Sequence, residues 1–279
     1  MNTDNSYPVL GFIGAGNMAS AIIGGLLAKG YPAAKIWASD PSPEKLQQMS
    51  AEWGIQTSTE NQQVAADAEV LILAVKPQVL GEVAKGLQAS VSANNPLVVS
   101  IAAGVMVDSL ERWLGDNTAI VRCMPNTPAL VQSGASGLYA NAKVSAEQKQ
   151  QAEKILDAVG IALWVEQESL LDAVTAVSGS GPAYYFLVME AMIAAGEKLG
   201  LDTETSTQLT LQTAIGAAKM AMASDVDVAE LRRRVTSPKG TTEKAVEAFE
   251  AGDIRGLFDT AMVACAERSK SLAVELGGD

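Results

Sequence analysis

From Val9 to about Val165, short apolar runs alternate with amphipathic stretches of helical period. The runs are VLGFIG, KIWAS, EVLILAV, PLVVSIA, AIVRCM and GLYA, with IALWV closing the series. They are continuously apolar rather than alternating, which is how strands buried on both faces read. The pattern therefore predicts a parallel sheet with helices on each side. Beyond about Glu166 the strand signals stop. Stretches rich in Ala, Leu, Met, Glu and Lys predict helices over 182–200, 203–223, 227–234, 241–251 and 254–276.

The first of these helices opens with Pro182, which suits a first helical position because proline lacks the amide that would be orphaned there. Apolar residues then occupy nearly every side of AYYFLVMEAMIAAG. A helix apolar all round has to be buried all round, and so small a helical region has little interior to hide it. A homodimer with interleaved helices is the expected solution. The same stretch is interrupted by Glu190 and falls short of the roughly 20 residues a membrane span needs.

Composition narrows the function. The 279 residues are 48% hydrophobic and carry 32 acidic against 20 basic side chains, a formal charge of −12. That balance argues against nucleic acid or an anionic membrane as partner and for small molecules and other copies of the chain. Arg232, Arg233 and Arg234 form the one basic run and read as a solvated helix face. With no histidine in the chain, imidazole catalysis and histidine-containing zinc sites drop out. Cys123 and Cys265 lie far apart and form no CxxC, so neither a metal site nor a disulfide is expected. MNTDNSYP has no secretory pattern, and the expected compartment is the cytoplasm.

The segment GFIGAGNMASAII places Gly14-x-Gly16-x-x-Ala19 after the first strand and at the opening of a helix. The first glycine permits a tight turn, the second lets backbone approach a pyrophosphate, and the helix N-terminus supplies amides and positive potential. An N-terminal Rossmann-like dinucleotide-binding domain over 1–166 follows, with an all-α dimerisation domain over 167–279. Ligands in such sheets bind beyond the carboxyl ends of the strands. The expected cofactor-facing set is Ile13, Gly14, Ala15, Gly16, Asn17 and Met18 in the first turn, with Ser39 and Asp40 after the second strand and Asn61 beyond them. Ala74, Val75, Lys76 and Pro77, then Ala102 and Gly104, then Asn126 in RCMPNTP complete it. A carboxylate at Asp40 leans toward NADH by accepting from the ribose hydroxyls; alternatively it caps the turn before Pro41, and Ser39 tolerates a phosphate. Lys76 reads equally as a surface lysine.

GFIGAGNM, AVKP, RCMPNTPA, VSGSGPAY and TSPKGTT, in this order, resemble the pyrroline-5-carboxylate reductase family over essentially the whole chain. The resemblance implies hydride transfer from NADPH or NADH to the C=N bond of 1-pyrroline-5-carboxylate, giving L-proline in the last step of its biosynthesis. It also implies a homodimer through the helical domain, with larger rings such as a decamer built from dimers. Thr242 would meet the ring nitrogen and handle the proton, with Ser237 beside it. Lys239, Gly240 and Thr241 would line the carboxylate side, and Ser178, Gly179, Ser180 and Gly181 the substrate and nicotinamide. SGSG otherwise reads as a glycine-rich linker before Pro182.

Two points stay open in this reading. The family usually has two glycines after Ser-Pro, where this chain has Lys239-Gly240: either the backbone is ordinary there, or Lys239 brings charge to the carboxylate at the cost of a positive φ. The resemblance also implies an acidic residue near the substrate, for which Asp225 is the match and Asp227 the alternative in SDVDVAEL. A 3-hydroxyacid dehydrogenase-like enzyme would need a catalytic lysine, for which Lys198 and Lys219 are the candidates. A regulatory protein binding NAD(P) without turnover is the reading outside enzymology.

Overall fold

The computed structural model describes residues 7–277. By compactness it divides into two units, one formed by the chain up to Ser180 together with the part from Cys265 on, the other by Gly181–Ala264.

The first unit is built on eight strands: β1 (Leu10–Ile13), β2 (Ile36–Ser39), β3 (Gln56–Ser58), β4 (Val70–Leu73), β5 (Leu97–Ser100), β6 (Ile120–Met124), β7 (Gly134–Ala140) and β8 (Gly160–Trp164). They lie in the order β3-β2-β1-β4-β5-β6-β7-β8. The order reverses between β1 and β4, both of which pair in parallel register, Ile13 opposite Leu73. Its helices are α1 (Asn17–Ala28), α2 (Pro43–Trp53), α3 (Asn61–Ala66), α4 (Pro77–Asn94), α5 (Val107–Leu114), α6 (Ala146–Asp157) and α7 (Leu170–Val174).

The apolar runs of β1, β4 and β5 are buried on both faces, as their pattern predicts, whereas IALWV in β8 is not, its Ile161 and Leu163 being exposed in the single chain. Val70 and Ile72 of β4 face a core with Ile22, Ile23 and Ile155, while Leu71 and Leu73 face one with Leu80, Leu87 and Leu110. Helix starts follow local chemistry: Ser42 accepts from Lys45 N at the head of α2, and Ser145 and Gln148 close a capping box on α6.

Two expectations need correction. The sheet is parallel only through β6, because β7 pairs antiparallel to β6 and β8 runs parallel to β7. The connection Pro125 to Ser133 holds only a 3₁₀ turn, too short for the crossover that a parallel neighbour requires. The polar strand β3 carries no apolar run and was not expected.

The second unit contains α8 (Gly181–Lys198), α9 (Thr203–Met222), α10 (Val228–Arg234), α11 (Thr241–Ala251) and the start of α12 (Ile254–Leu276). All five coincide with the predicted helices to within two residues at each end. Tyr185, Phe186 and Leu187 of α8 are 63–70% exposed in the single chain, a large apolar surface for a helix interior. Among the described residues no helix is long and apolar enough to cross a membrane.

Candidate active site

At the end of β1 the chain turns through Gly14 at φ +96°, and a Cβ there would stand 2.8 Å from the Ala74 carbonyl oxygen. Only glycine fits both demands. Gly14 N donates to Ser39 O at 2.9 Å and Ala74 N to Ile13 O at 2.8 Å, which draws the ends of β1, β2 and β4 together. Gly16 caps α1 without any side-chain cap, and a Cβ on it would meet nothing within 4 Å. The opening amides of α1, at Asn17 and Met18, therefore face open space at the positive end of a helix, and this fits a pyrophosphate.

The end of β2, where the sequence reading puts the adenosine ribose, is more occupied than the sequence suggests. Asp40 Oδ2 accepts from Ala15 N at 3.2 Å and from Lys45 Nζ at 3.0 Å, while Oδ1 accepts from Ser42 N at 3.1 Å. Burial alone raises the Asp40 carboxyl, but the Lys45 hydrogen bond, the two amides and the Lys45 charge outweigh it and hold it below its usual range. A carboxylate already countered by Lys45 repels a 2′-phosphate less than a bare one. The expected lean toward NADH thus loses its basis. Ser39 is fully buried, its hydroxyl 2.7 Å from Asn61 Oδ1, so it orients Asn61 rather than facing solvent.

Lys76 is exposed and caps α4, with Pro77 at the first helical position. Val75 lies against Gly14. Ala102 and Gly104 are buried, and Gly104 at φ +74° has Leu272 and Leu276 of α12 packed against it.

Asn126 is buried, with Oδ1 accepting from Ala135 N at 2.8 Å and Nδ2 donating to Ser178 O at 3.0 Å. The alternative reading of SGSG as a glycine-rich linker fails, since Thr175–Gly179 is a π-helical turn that runs from α7 toward α8. A Cβ on Gly179 would come within 2.6 Å of Met124 Cε, so glycine lets the end of that flexible side chain close over the turn. The Ser178 hydroxyl donates to Val174 O at 3.1 Å, and Ser180 Oγ lies 3.3 Å from Cys265 Sγ. Cys123 is buried, which pushes its thiol up to about 12 despite a hydrogen bond from Ser136.

In the second unit the TSPKGTT break separates α10 from α11. Lys239 adopts φ +60°, so a side chain does sit in the left-handed region, at the position where the resemblance leads one to expect glycine. Gly240 N donates to Ser237 O at 3.0 Å, and a Cβ on Gly240 would stand 2.9 Å from that oxygen. Gly240 caps α11, and the amides of Thr241 and Thr242 take no partner among the described residues. Thr242 is exposed, on the first turn of the helix. Sequence reasoning missed Glu243, whose carboxylate accepts from Lys239 N at 2.7 Å and fixes the strained turn. Its spacing from the cap, three residues, is the readable signal. Of the two acids, Asp227 caps α10 by accepting from Glu230 N at 2.8 Å, while Asp225 is exposed and takes no partner among the described residues.

Arg233 and Arg234 pair with Glu230 at 2.8 and 2.9 Å, and Arg232 lies 3.9 Å from Glu250, the solvated face expected of that run. Lys198 and Lys219 are exposed on helix surfaces.

Two family models match: residues 168–272 the pyrroline-5-carboxylate reductase dimerisation family, and residues 9–104 the coenzyme F420-dependent NADP oxidoreductases. The pyrroline-5-carboxylate reductase of Pseudomonas aeruginosa is 56% identical over 272 residues, 98% of this chain and 99% of that protein. That of Pasteurella multocida is 47% identical, over 94% of this chain and 96% of its own. Among solved structures, a pyrroline-5-carboxylate reductase from Coxiella burnetii superposes with TM-score 0.93 at 45% identity, over 96% of this chain and 99% of that one. The Plasmodium falciparum pyrroline carboxylate reductase with NADP bound reaches TM-score 0.85 at 31% identity, over 98% and 100%.

Proposed function

The chain belongs to the pyrroline-5-carboxylate reductase family, and we propose that it reduces 1-pyrroline-5-carboxylate to L-proline with NADPH or NADH. The observation that carries this is 56% identity to the Pseudomonas aeruginosa enzyme along nearly the full length of both chains. A bound nicotinamide supplies the hydride.

The chain's task is positioning. The ring imine is basic enough to arrive protonated or nearly so, which suits a protein without histidine. The C=N bond gains hydride at carbon and ends with its proton on nitrogen. Thr242 hydroxyl is assigned to the ring nitrogen, with Ser237 beside it. The amides of Thr241 and Thr242 and the cation of Lys239 serve the carboxylate, a role supported by their place at an uncapped helix N-terminus. Ser178, Gly179, Ser180 and Gly181 line the substrate side, and Asp225 supplies the nearby acid. Holding the reacting atoms in line contributes most where no strong acid is needed.

The dimerisation segment makes the chain a homo-oligomer. The apolar surface of α8 supports a dimer through the helical domain, from which a decameric ring would be assembled; the compartment is assigned as cytoplasmic.

Steady-state assays with 1-pyrroline-5-carboxylate and each cofactor, run beside a panel of 3-hydroxy acids, test the activity. Turnover of the imine supports it; turnover of hydroxy acids alone, or binding of NADPH without oxidation, overturns it. Thr242→Ala is expected to lower kcat, and unchanged turnover at saturating substrate removes Thr242 from its role.

A further inference from the structure

Pro182 removes the backbone donor that an α-helix would bring to the Ser178 carbonyl, because the regular partner of residue i is the N–H of residue i+4 and proline has none. The chain widens instead, Ser180 N reaching back to Thr175 O at 2.8 Å across the π-helical turn Thr175–Gly179. A carbonyl left without its helical donor in partly buried surroundings needs another. Asn126 Nδ2 provides it at 3.0 Å, from the loop that follows β6.

The other end of the same amide is also fixed, since Asn126 Oδ1 accepts from Ala135 N at 2.8 Å. With both ends held and only 8% of the residue exposed, the side chain has one orientation. Its oxygen and one of its two amide protons are spent on the protein. Met124, two residues earlier, closes against Gly179. The last residue of β6 and the loop after it thus grip two consecutive residues of the SGSG segment.

We propose that Asn126 is a positioning residue for the imino acid, holding Ser178 and the residues after it in place through the orphaned carbonyl, rather than a ligand of the dinucleotide. This rests on the reading of Ser178–Gly181 as substrate side.

Asn126→Asp separates the two hydrogen bonds. It keeps an acceptor for Ala135 N but sets a carboxylate oxygen against the Ser178 carbonyl. The KM for 1-pyrroline-5-carboxylate is expected to rise roughly 10-fold, the usual weight of one buried hydrogen bond lost with its partner left unsatisfied. The Kd for NADPH, from fluorescence titration, is expected to stay within about 2-fold, as for a site that is not touched. Adding Pro182→Ala restores an N–H at the i+4 position and is expected to return KM toward wild type. An unchanged KM in Asn126→Asp, an equal rise in the NADPH Kd, or no rescue by Pro182→Ala overturns the proposal. If the single variant does not fold, the double variant carries the test: recovered fold and KM support it, and failure to recover overturns it. Absence of imine turnover in the wild-type protein would overturn the functional reading itself, and this inference with it.

Discussion

Arg122 Nη1 lies 2.6 Å from Glu168 Oε1, and that same oxygen accepts from Val107 N at 2.7 Å. Arg122 is on β6, Val107 opens α5 and Glu168 precedes α7, so one carboxylate ties the sheet, a covering helix and the chain leaving the sheet. The side chains are only 10% and 17% exposed. Removing one partner leaves a buried charge uncompensated, whereas replacing both by apolar groups does not. Glu168→Ala is expected to destabilise by about 3 kcal/mol, and Arg122→Met with Glu168→Leu by about 1 kcal/mol or less. Thermal unfolding of the two variants beside the wild type checks this; equal losses for the single and double variants would contradict it.

Lys239 holds φ +60° next to the cap of α11, and Glu243 accepts from its amide. A non-glycine residue there costs about 1–2 kcal/mol, and glycine returns part of it as lost chain entropy. Lys239→Gly is expected to leave stability unchanged or raised by about 1 kcal/mol, while Lys239→Val lowers it by about 1 kcal/mol or more. If the ammonium serves the substrate carboxylate, Lys239→Gly and Lys239→Ala both raise KM roughly 3- to 10-fold, the weight of a partly screened charge contact. Hydrogen exchange across the start of α11 and steady-state kinetics separate the two effects. A KM unchanged in both variants would free the lysine from the carboxylate.

The elements that were legible in the sequence are those set by local chemistry. The span of α11 follows from Gly240 at its cap, and β4 and β5 from apolar runs that two cores bury. What was not legible depends on distant partners. The direction of β7 is fixed by pairing with β6, and only the short Pro125–Ser133 connection hinted at it. Composition alone left a linker open as the alternative for Gly and Ser at 178–181, yet Asn126 and Met124, more than fifty residues earlier, hold a π-helical turn there. The glycine fingerprint located the first turn, but not that Asp40 would be tied to Ala15 and Lys45. The positive φ at Lys239 showed in the sequence only as a departure from the family's glycine.

Asp40 couples the glycine turn to pH. Its burial favours the neutral acid, but hydrogen bonds from Lys45, Ser42 N and Ala15 N and the Lys45 charge favour the carboxylate more, so the folded value lies below the ordinary 3.8. A carboxyl depressed on folding stabilises the native state fully above its unfolded value, and that contribution is lost as pH falls through the folded one. The window is therefore below about pH 4. Asp40→Asn removes the linkage. Its deficit against wild type should be constant from about pH 8 to 5 and shrink as the pH falls below about 4, where the wild-type carboxyl takes up its proton. Melting temperatures of both proteins across that range test the sign. A deficit that grows toward acid would mean the carboxyl is raised in the fold. Because Ala15 N is one of its partners, the same variant should also loosen the glycine turn after β1, which is proposed to hold the cofactor. NADPH and NADH titrations of Asp40→Asn and Lys45→Ala then show which charge sets the preference. With Lys45 gone the unbalanced Asp40 carboxylate should weaken NADPH binding more than NADH binding, and an equal loss for both would take the pair out of cofactor choice.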